Sequence, residues 1–323
     1  MRTVRFLAVS IAMCTGFLMP SALSAQTWPQ RTVRVIVPLP PGNSLDVSAR
    51  LFSEHLSARW KQPTVVENIA GGDGIPAAKE FVSRRDQHTL LFSFAGLTTI
   101  NPLLYEKLPY DPQRDFVPVA MAADNFIAIA VSGKLNVSSL SELVTLARSR
   151  SAKLSWAATA GLPYFAFAGF LKSVGVDMVY VPYRDFSPAL SDLGEGRIEV
   201  VATGLTQLLP HGDAGRARLL AVINPTRAPI TPQTVTAAEA GFSDLTFEAV
   251  TGFFGQPEMS AELRDKIARD VIAVAENPAV KARLPALGIV AKGGSSTEFA
   301  AAIEAQRKKV VSIAAAIGAK PTQ

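Results

Sequence analysis

Pro38-Leu39-Pro40-Pro41-Gly42-Asn43-Ser44-Leu45-Asp46 is the stretch on which the reading of this chain turns. A β-branched run, Thr32–Val37, leads into it. Asp46–Trp60 follows, with Val47, Leu51 and Leu56 on one helical face. The segment is therefore a turn from a strand into a helix. Its prolines stiffen the backbone, Gly42 permits close approach, and Asn43 or Ser44 can cap the helix. A rigid turn of this kind presents free backbone N–H groups and the positive end of a helix dipole, which suits an anion. In open α/β sheets, ligands sit at these carboxyl ends of strands.

The same alternation continues outward. Strands are predicted at Val65–Glu67, Thr89–Phe94, Leu154–Ala158, Met178–Val181, Glu199–Thr203 and Arg218–Ile223, with helical stretches between them. Phe116–Val131 reads as one or two strands around Asp124-Asn125. Helices are predicted over Ile75–Arg84, Ser139–Arg150, Ala261–Glu276 and Thr297–Ile317. Ser139 with Glu142, and Ser295 with Glu298, form capping boxes. Strand–helix alternation predicts an α/β fold of mainly parallel sheets flanked by helices. The 323 residues suggest two domains. No flexible linker separates them, so crossover strands are expected near Ala128–Val131 and Glu248–Phe253. The first domain is then discontinuous, 26–127 plus 249–323, and the second is 128–248.

Ahead of these lie Arg2 and Arg5, an apolar stretch from Phe6 to Met19, and small residues at Ala22, Ser24 and Ala25. This pattern predicts a secretory signal over 1–25, cut after Ala25 or alternatively Ser24, and a periplasmic product. The formal charge is +5; Arg2 and Arg5 account for two of it, and the remaining +3 does not make a nucleic-acid face. Hydrophobic residues form 48% and charged residues 18%, enough apolar content for packed cores. The single cysteine, Cys14, lies in the expected leader, which excludes disulfides and thiol chemistry from the mature chain.

Enzyme motifs are weak. Gly72-Asp73-Gly74-Ile75-Pro76-Ala77 fits G-x-G-x-x-A, but four residues intervene after Glu67, so a Gly-rich turn is the simpler reading. Gly293-Gly294-Ser295-Ser296 lacks the last glycine of a nucleophile elbow. His55, His88 and His211 share no helical face, so no metal site is expected.

The turn at Pro38–Arg50, read with later segments, resembles the substrate-binding proteins of tripartite tricarboxylate transporters, the Bug family. The matching stretches include Trp28-Pro29, Val65-Val66-Glu67-Asn68, Asn101-Pro102-Leu103-Leu104-Tyr105 and Leu108-Pro109-Tyr110-Asp111-Pro112. Val181-Pro182-Tyr183, Pro188-Ala189-Leu190, Arg227 and Ala238-Glu239-Ala240-Gly241 continue the series across almost the whole mature chain. The resemblance implies a type II-like, two-domain periplasmic binding protein with its ligand in the interdomain cleft. It implies a non-enzymatic, cofactor-free monomer that delivers a small carboxylate, amino acid or amide to a membrane permease. A sensor that presents its ligand to a signalling kinase is the alternative.

Candidate cleft residues follow from the βα turns. They are Pro41, Gly42, Asn43, Ser44 and Asp46; Gly72 and Asp73; Ala95, Gly96 and Thr98; then Thr159, Gly161, Tyr164, Tyr183, Asp185 and Thr203. The backbone N–H groups of Gly42–Ser44 are the expected anion donors. Asp73 and Asp185 stand where the family pattern is mostly glycine, which points away from a simple dicarboxylate ligand.

Overall fold

The computed structural model describes residues 28–149 and 153–321; the expected leader and Cys14 lie outside the described residues. The first elements are β1 (Val33–Val37), α1 (Ser44–Trp60), β2 (Thr64–Asn68), α2 (Ile75–Arg84), β3 (Thr89–Phe94), α3 (Gly96–Thr99), α4 (Asn101–Leu104) and β4 (Val117–Asn125). They are followed by β5 (Ile127–Ser132), α5 (Leu140–Ser149), β6 (Ser155–Ala158), α6 (Leu162–Ser173), β7 (Val179–Tyr180), α7 (Ser187–Glu195), β8 (Val200–Gly204), α8 (Leu205–Asp213) and β9 (Ala217–Val222). The last are β10 (Val250–Gly255), α9 (Ala261–Ala275), α10 (Pro278–Arg283), β11 (Ile289–Gly294) and α11 (Ser296–Ile317).

The strands form two sheets. One has the order β11-β4-β10-β3-β1-β2 and the other β7-β6-β8-β5-β9. Strands linked by a local helix are parallel: β1 with β2 and β3, and β6 with β7 and β8. Strands that carry the chain between sheets arrive in the opposite sense. Thus β10 is antiparallel to β3 and β4, β4 to β11, and β5 to β8 and β9. The α/β class holds, but each sheet is mixed rather than mainly parallel. Hydrophobic alternation does not encode strand direction, so local pattern could not distinguish the two.

Only Phe126 separates β4 from β5. Asn224 staples this passage: its Oδ1 accepts from Ile127 N–H at 3.1 Å and its Nδ2 donates to the Asn125 carbonyl at 2.8 Å. Asn224 is fully buried, and its side-chain amide meets backbone groups that the change of sheet leaves without ladder partners.

Each sheet is covered on both faces. Phe52, Phe92 and Phe253 pack beneath α1 and α9, while Phe81, Phe116, Phe254 and Phe299 fill the opposite face. Each such fully buried ring contributes about 1.5–3 kcal/mol. In the second sheet, Trp156, Phe165 and Phe167 lie on the α6 face, and Ala189, Leu193, Leu205 and Leu208 on the other. Helix α11 joins both bodies. Phe299 and Ile303 belong to a core of the first sheet, whereas Val310 and Ala314 belong to a core of the second. Gly169 of α6 makes that contact close, since a Cβ there would meet Ile313 at 2.9 Å.

Candidate functional site

A cavity of about 700 Å³ lies between the two sheets. Six βα turns open onto it. From the first sheet come the turns after β1 (Asn43, Ser44), β2 (Gly72, Asp73) and β3 (Gly96, Leu97). From the second come those after β6 (Thr159, Gly161), β7 (Arg184, Asp185) and β8 (Thr203, Gly204). The crossing residues Asn125, Phe126 and Ile127 form part of the lining.

Local hydrogen bonding determines what each turn presents. Asn43 caps α1, its Oδ1 accepting from Leu45 N–H at 2.8 Å and Asp46 N–H at 3.1 Å. The Gly42 N–H donates to Asp46 Oδ2 at 2.8 Å, within the loop itself. Among the described residues, Asn43 N–H and Ser44 N–H meet no acceptor in the chain. The same holds for the N–H groups of Gly72, Asp73 and Gly161. Gly72, Asp73 and Gly74 have successive positive φ values of 52°, 50° and 78°, a tight left-handed turn closed by the Gly74 N–H donating to the Gly71 carbonyl at 3.0 Å. Helices α1, α2, α6 and α8 begin at the cavity, so their positive dipole ends converge there.

The ionisable side chains among the lining residues are Asp73, Arg184 and Asp185. Asp73 is held by two neighbours. Tyr105 Oη donates to its Oδ2 at 2.5 Å, and Asn101 Nδ2 donates to its carbonyl at 3.0 Å. Burial raises the Tyr105 phenol to about 12, and the Asp73 carboxylate adds to the shift, so Tyr105 stays a neutral donor. Asp185 Oδ1 accepts from Ser187 N–H at 3.3 Å, at the start of α7. Arg184 has no ion-pair partner among the described residues. Thr203 Oγ1 donates to Gln207 Oε1 at 2.5 Å, and Gln306 of α11 donates to Thr99 Oγ1 at 2.8 Å.

Of the residues expected from the sequence, Asn43, Ser44, Gly72, Asp73, Gly96, Thr159, Gly161, Asp185 and Thr203 line the cavity. The others stand outside its lining for definite reasons. Asp46 is buried beneath the first loop and serves it as an acceptor, which also takes the Gly42 N–H away from any ligand. Pro41 is exposed on the loop. Ala95 is buried, and its carbonyl accepts the Thr98 hydroxyl at 3.0 Å. Tyr164 stacks on Trp156 with centroids 5.6 Å apart. Tyr183 Oη donates to Asp192 Oδ2 at 2.5 Å and ties its loop to α7; burial, then Asp192, pushes this phenol up to about 12.

Sequence reasoning did not select Ser93, Phe94, Ile100, Asn101, Leu104, Asn125, Phe126, Phe186, Gln207 or Gln306, all of which line the cavity. Asn101 and Leu104 lie in a stretch the resemblance quotes, and Phe186 follows Asp185 directly, so proximity to known turns could have found them. Gln306 sits mid-helix on α11 and carries no local signal.

The comparisons agree with this geometry. Residues 48–319 match the model of the tripartite tricarboxylate transporter family receptor. Protein BugT of Bordetella pertussis is 30% identical over 248 residues, 76% of each chain. An R. palustris protein solved with adipate is 28% identical, with a TM-score of 0.79 over 92% of this chain and 100% of that one. A second, MatC from Rhodopseudomonas palustris with bound malate, is 26% identical with a TM-score of 0.71 over 88% of this chain and 100% of that one. The family is one of transporter receptors rather than enzymes, and the two solved neighbours carry adipate and malate. The chain belongs to the tripartite tricarboxylate transporter receptor family.

Proposed function

We propose that this protein is exported through a leader over 1–25 and works as a monomeric trap for a small organic acid. It hands its ligand to a membrane permease. The moving bodies are 26–127 plus 249–323 and 128–248, which close about the crossing strands around the cleft. Asn43, Ser44, Gly72, Asp73 and Gly96 contribute from one body, and Thr159, Gly161, Asp185 and Thr203 from the other.

One observation carries this reading. Backbone N–H groups without intramolecular acceptors, from turns of both sheets, converge on one cavity of about 700 Å³. A carboxylate fits such donors, since charged acceptors form stronger bonds to N–H groups than neutral ones do. That relatives hold adipate and malate supports the same ligand class.

The test is a thermal-shift panel of mono-, di- and amino-substituted carboxylic acids on the mature chain. A true ligand at about 100 times its Kd adds roughly 2.7 kcal/mol to the native state and raises the melting midpoint. An unmoved midpoint across the whole panel would sink the assignment.

A further inference from the structure

We propose, resting on the reading of the cleft as an organic-acid site, that its ligand carries a nitrogen donor at the end of an apolar body remote from its carboxylate. The donor is an ammonium or a primary amide. The Asp73 carboxylate, positioned by Tyr105, selects it.

The charge inventory of the lining comes first. Two acids, Asp73 and Asp185, face one base, Arg184. Asp185 already accepts the Ser187 N–H at the start of α7. Asp73 differs. Its Oδ2 accepts from Tyr105 Oη at 2.5 Å, while its Oδ1 has no partner among the described residues. One carboxylate oxygen is thus anchored and the other is left for a ligand donor. A second ligand carboxylate beside Asp73 is repelled, whereas an ammonium or amide N–H forms a charge-assisted bond.

The backbone makes this placement deliberate. Asp73 holds φ 50°, between two glycines that adopt positive φ more readily. The Asn101 amide fixes its carbonyl at 3.0 Å, so side chain and main chain are both tied down in this conformation.

The rest of the lining fits an apolar body between two polar ends. Phe94, Leu97, Ile100 and Leu104 line it from the body that carries Asp73, Phe126 from the crossing, and Phe186 from the turn that carries Arg184. Arg184 comes from the other body and lacks an ion-pair partner among the described residues, which suits the ligand carboxylate.

The experiment is titration calorimetry on the mature chain with matched pairs of equal length. The pairs are succinate against 4-aminobutyrate, and terephthalate against both 4-(aminomethyl)benzoate and 4-carbamoylbenzoate. The wild type is expected to bind a nitrogen-bearing acid at least ten-fold more tightly than its matched diacid. Asp73→Asn should shrink that preference about ten-fold, and Tyr105→Phe should weaken the nitrogen-bearing acids alone. Asp73→Gly, which suits the positive φ, provides a folded control checked by melting without ligand. Tighter diacid binding, or a preference unchanged in Asp73→Asn, overturns the proposal and leaves the organic-acid reading standing. Failure of every probe to bind overturns both.

Discussion

Asp46 touches no ligand space, yet it shapes the loop that does. Its Oδ2 accepts from Gly42 N–H at 2.8 Å and Arg50 Nε at 3.1 Å, and its Oδ1 accepts from Asn68 Nδ2 at 2.8 Å. Burial alone would raise its pKa. The bonds from Arg50, Gly42 and Asn68 outweigh burial and hold it below the usual carboxylate range. A depressed folded pKa adds stability above the unfolded value near 3.9, and that stability disappears as pH falls through the folded value. Asp46→Ala is expected to cost about 1–3 kcal/mol in urea unfolding at pH 7, because it removes the buried acceptor that Gly42, Arg50 and Asn68 share. A loss under about 0.5 kcal/mol, typical of an uninvolved surface site, would contradict this role. The sequence places Asp46 in the right turn. It does not show that the carboxylate lies under the loop, because Arg50 and Asn68 reach it only in the folded chain.

Asp124 poses the opposite case at the same scale. It is buried near the end of β4, one residue before the crossing, with Oδ1 unpartnered. Burial raises its pKa to about 6, helped by Glu248 and opposed by Asn224, Lys292 and the Ala249 backbone. A raised carboxyl pKa means that the native state binds the extra proton between about pH 4 and 6. Its ionisation therefore works against folding above pH 6, and the penalty fades on acidification toward pH 4. Asp124→Asn is expected to stabilise the protein by about 1–3 kcal/mol at pH 7.5, with little gain at pH 4.5. Denaturant melts of both proteins at the two pH values decide it: an equal difference at both would refute the assigned titration.

At the scale of elements, strand β10 does the most to join the molecule. Gly252 sits where β10 shifts register against β4. A Cβ there would fall 2.3 Å from the Ala120 carbonyl oxygen and 2.7 Å from the Phe299 ring. The obstacle includes backbone, so side-chain repacking cannot relieve it. Gly252→Ala is expected to cost about 3 kcal/mol. Gly42→Ala, at φ 86° with open space around it, should cost about 1–2 kcal/mol from conformation alone. Equal losses in paired melts would show that the close approach at Gly252 is not the cause. The β1-to-α1 and β3 periods were legible in the sequence because β1 is β-branched apart from Arg34 and β3 carries the apolar run Leu90-Leu91-Phe92. Strand β11 was not: Ile289–Gly294 ends in Lys292-Gly293-Gly294 and shows neither alternation nor a β-branched run. Its place at a sheet edge comes from pairing with β4.

Over the whole molecule, closure is constrained at three places: the passage at Phe126, the return into β10, and helix α11, whose two halves lie in different cores. Motion of the two bodies is therefore expected to be a rotation about this line of attachments rather than free splaying. Small-angle scattering should show a lower radius of gyration once a confirmed ligand saturates the protein. An unchanged radius at saturation would argue for a rigid receptor. The two-body arrangement was readable from strand–helix alternation without a linker. The bridging role of α11 was not, since Val310 and Ala314 look like any apolar pair on a helix until the second core is seen against them.

The position of β10 also bears on how the chain is made. It lies between β3 and β4, yet more than a hundred residues of the second sheet are synthesised before it. While the ribosome is still producing them, the edges of β3 and β4 that β10 will join have no partner, and an unpaired edge cannot close a core. The first sheet is thus expected to stay incomplete, with β4 unjoined to β3, until Val250–Gly255 emerge. If the chain is exported as proposed, and so threaded unfolded through a membrane channel, order of synthesis against order of assembly becomes a timer, and a chain stopped at residue 249 should remain open to protease in its first sheet.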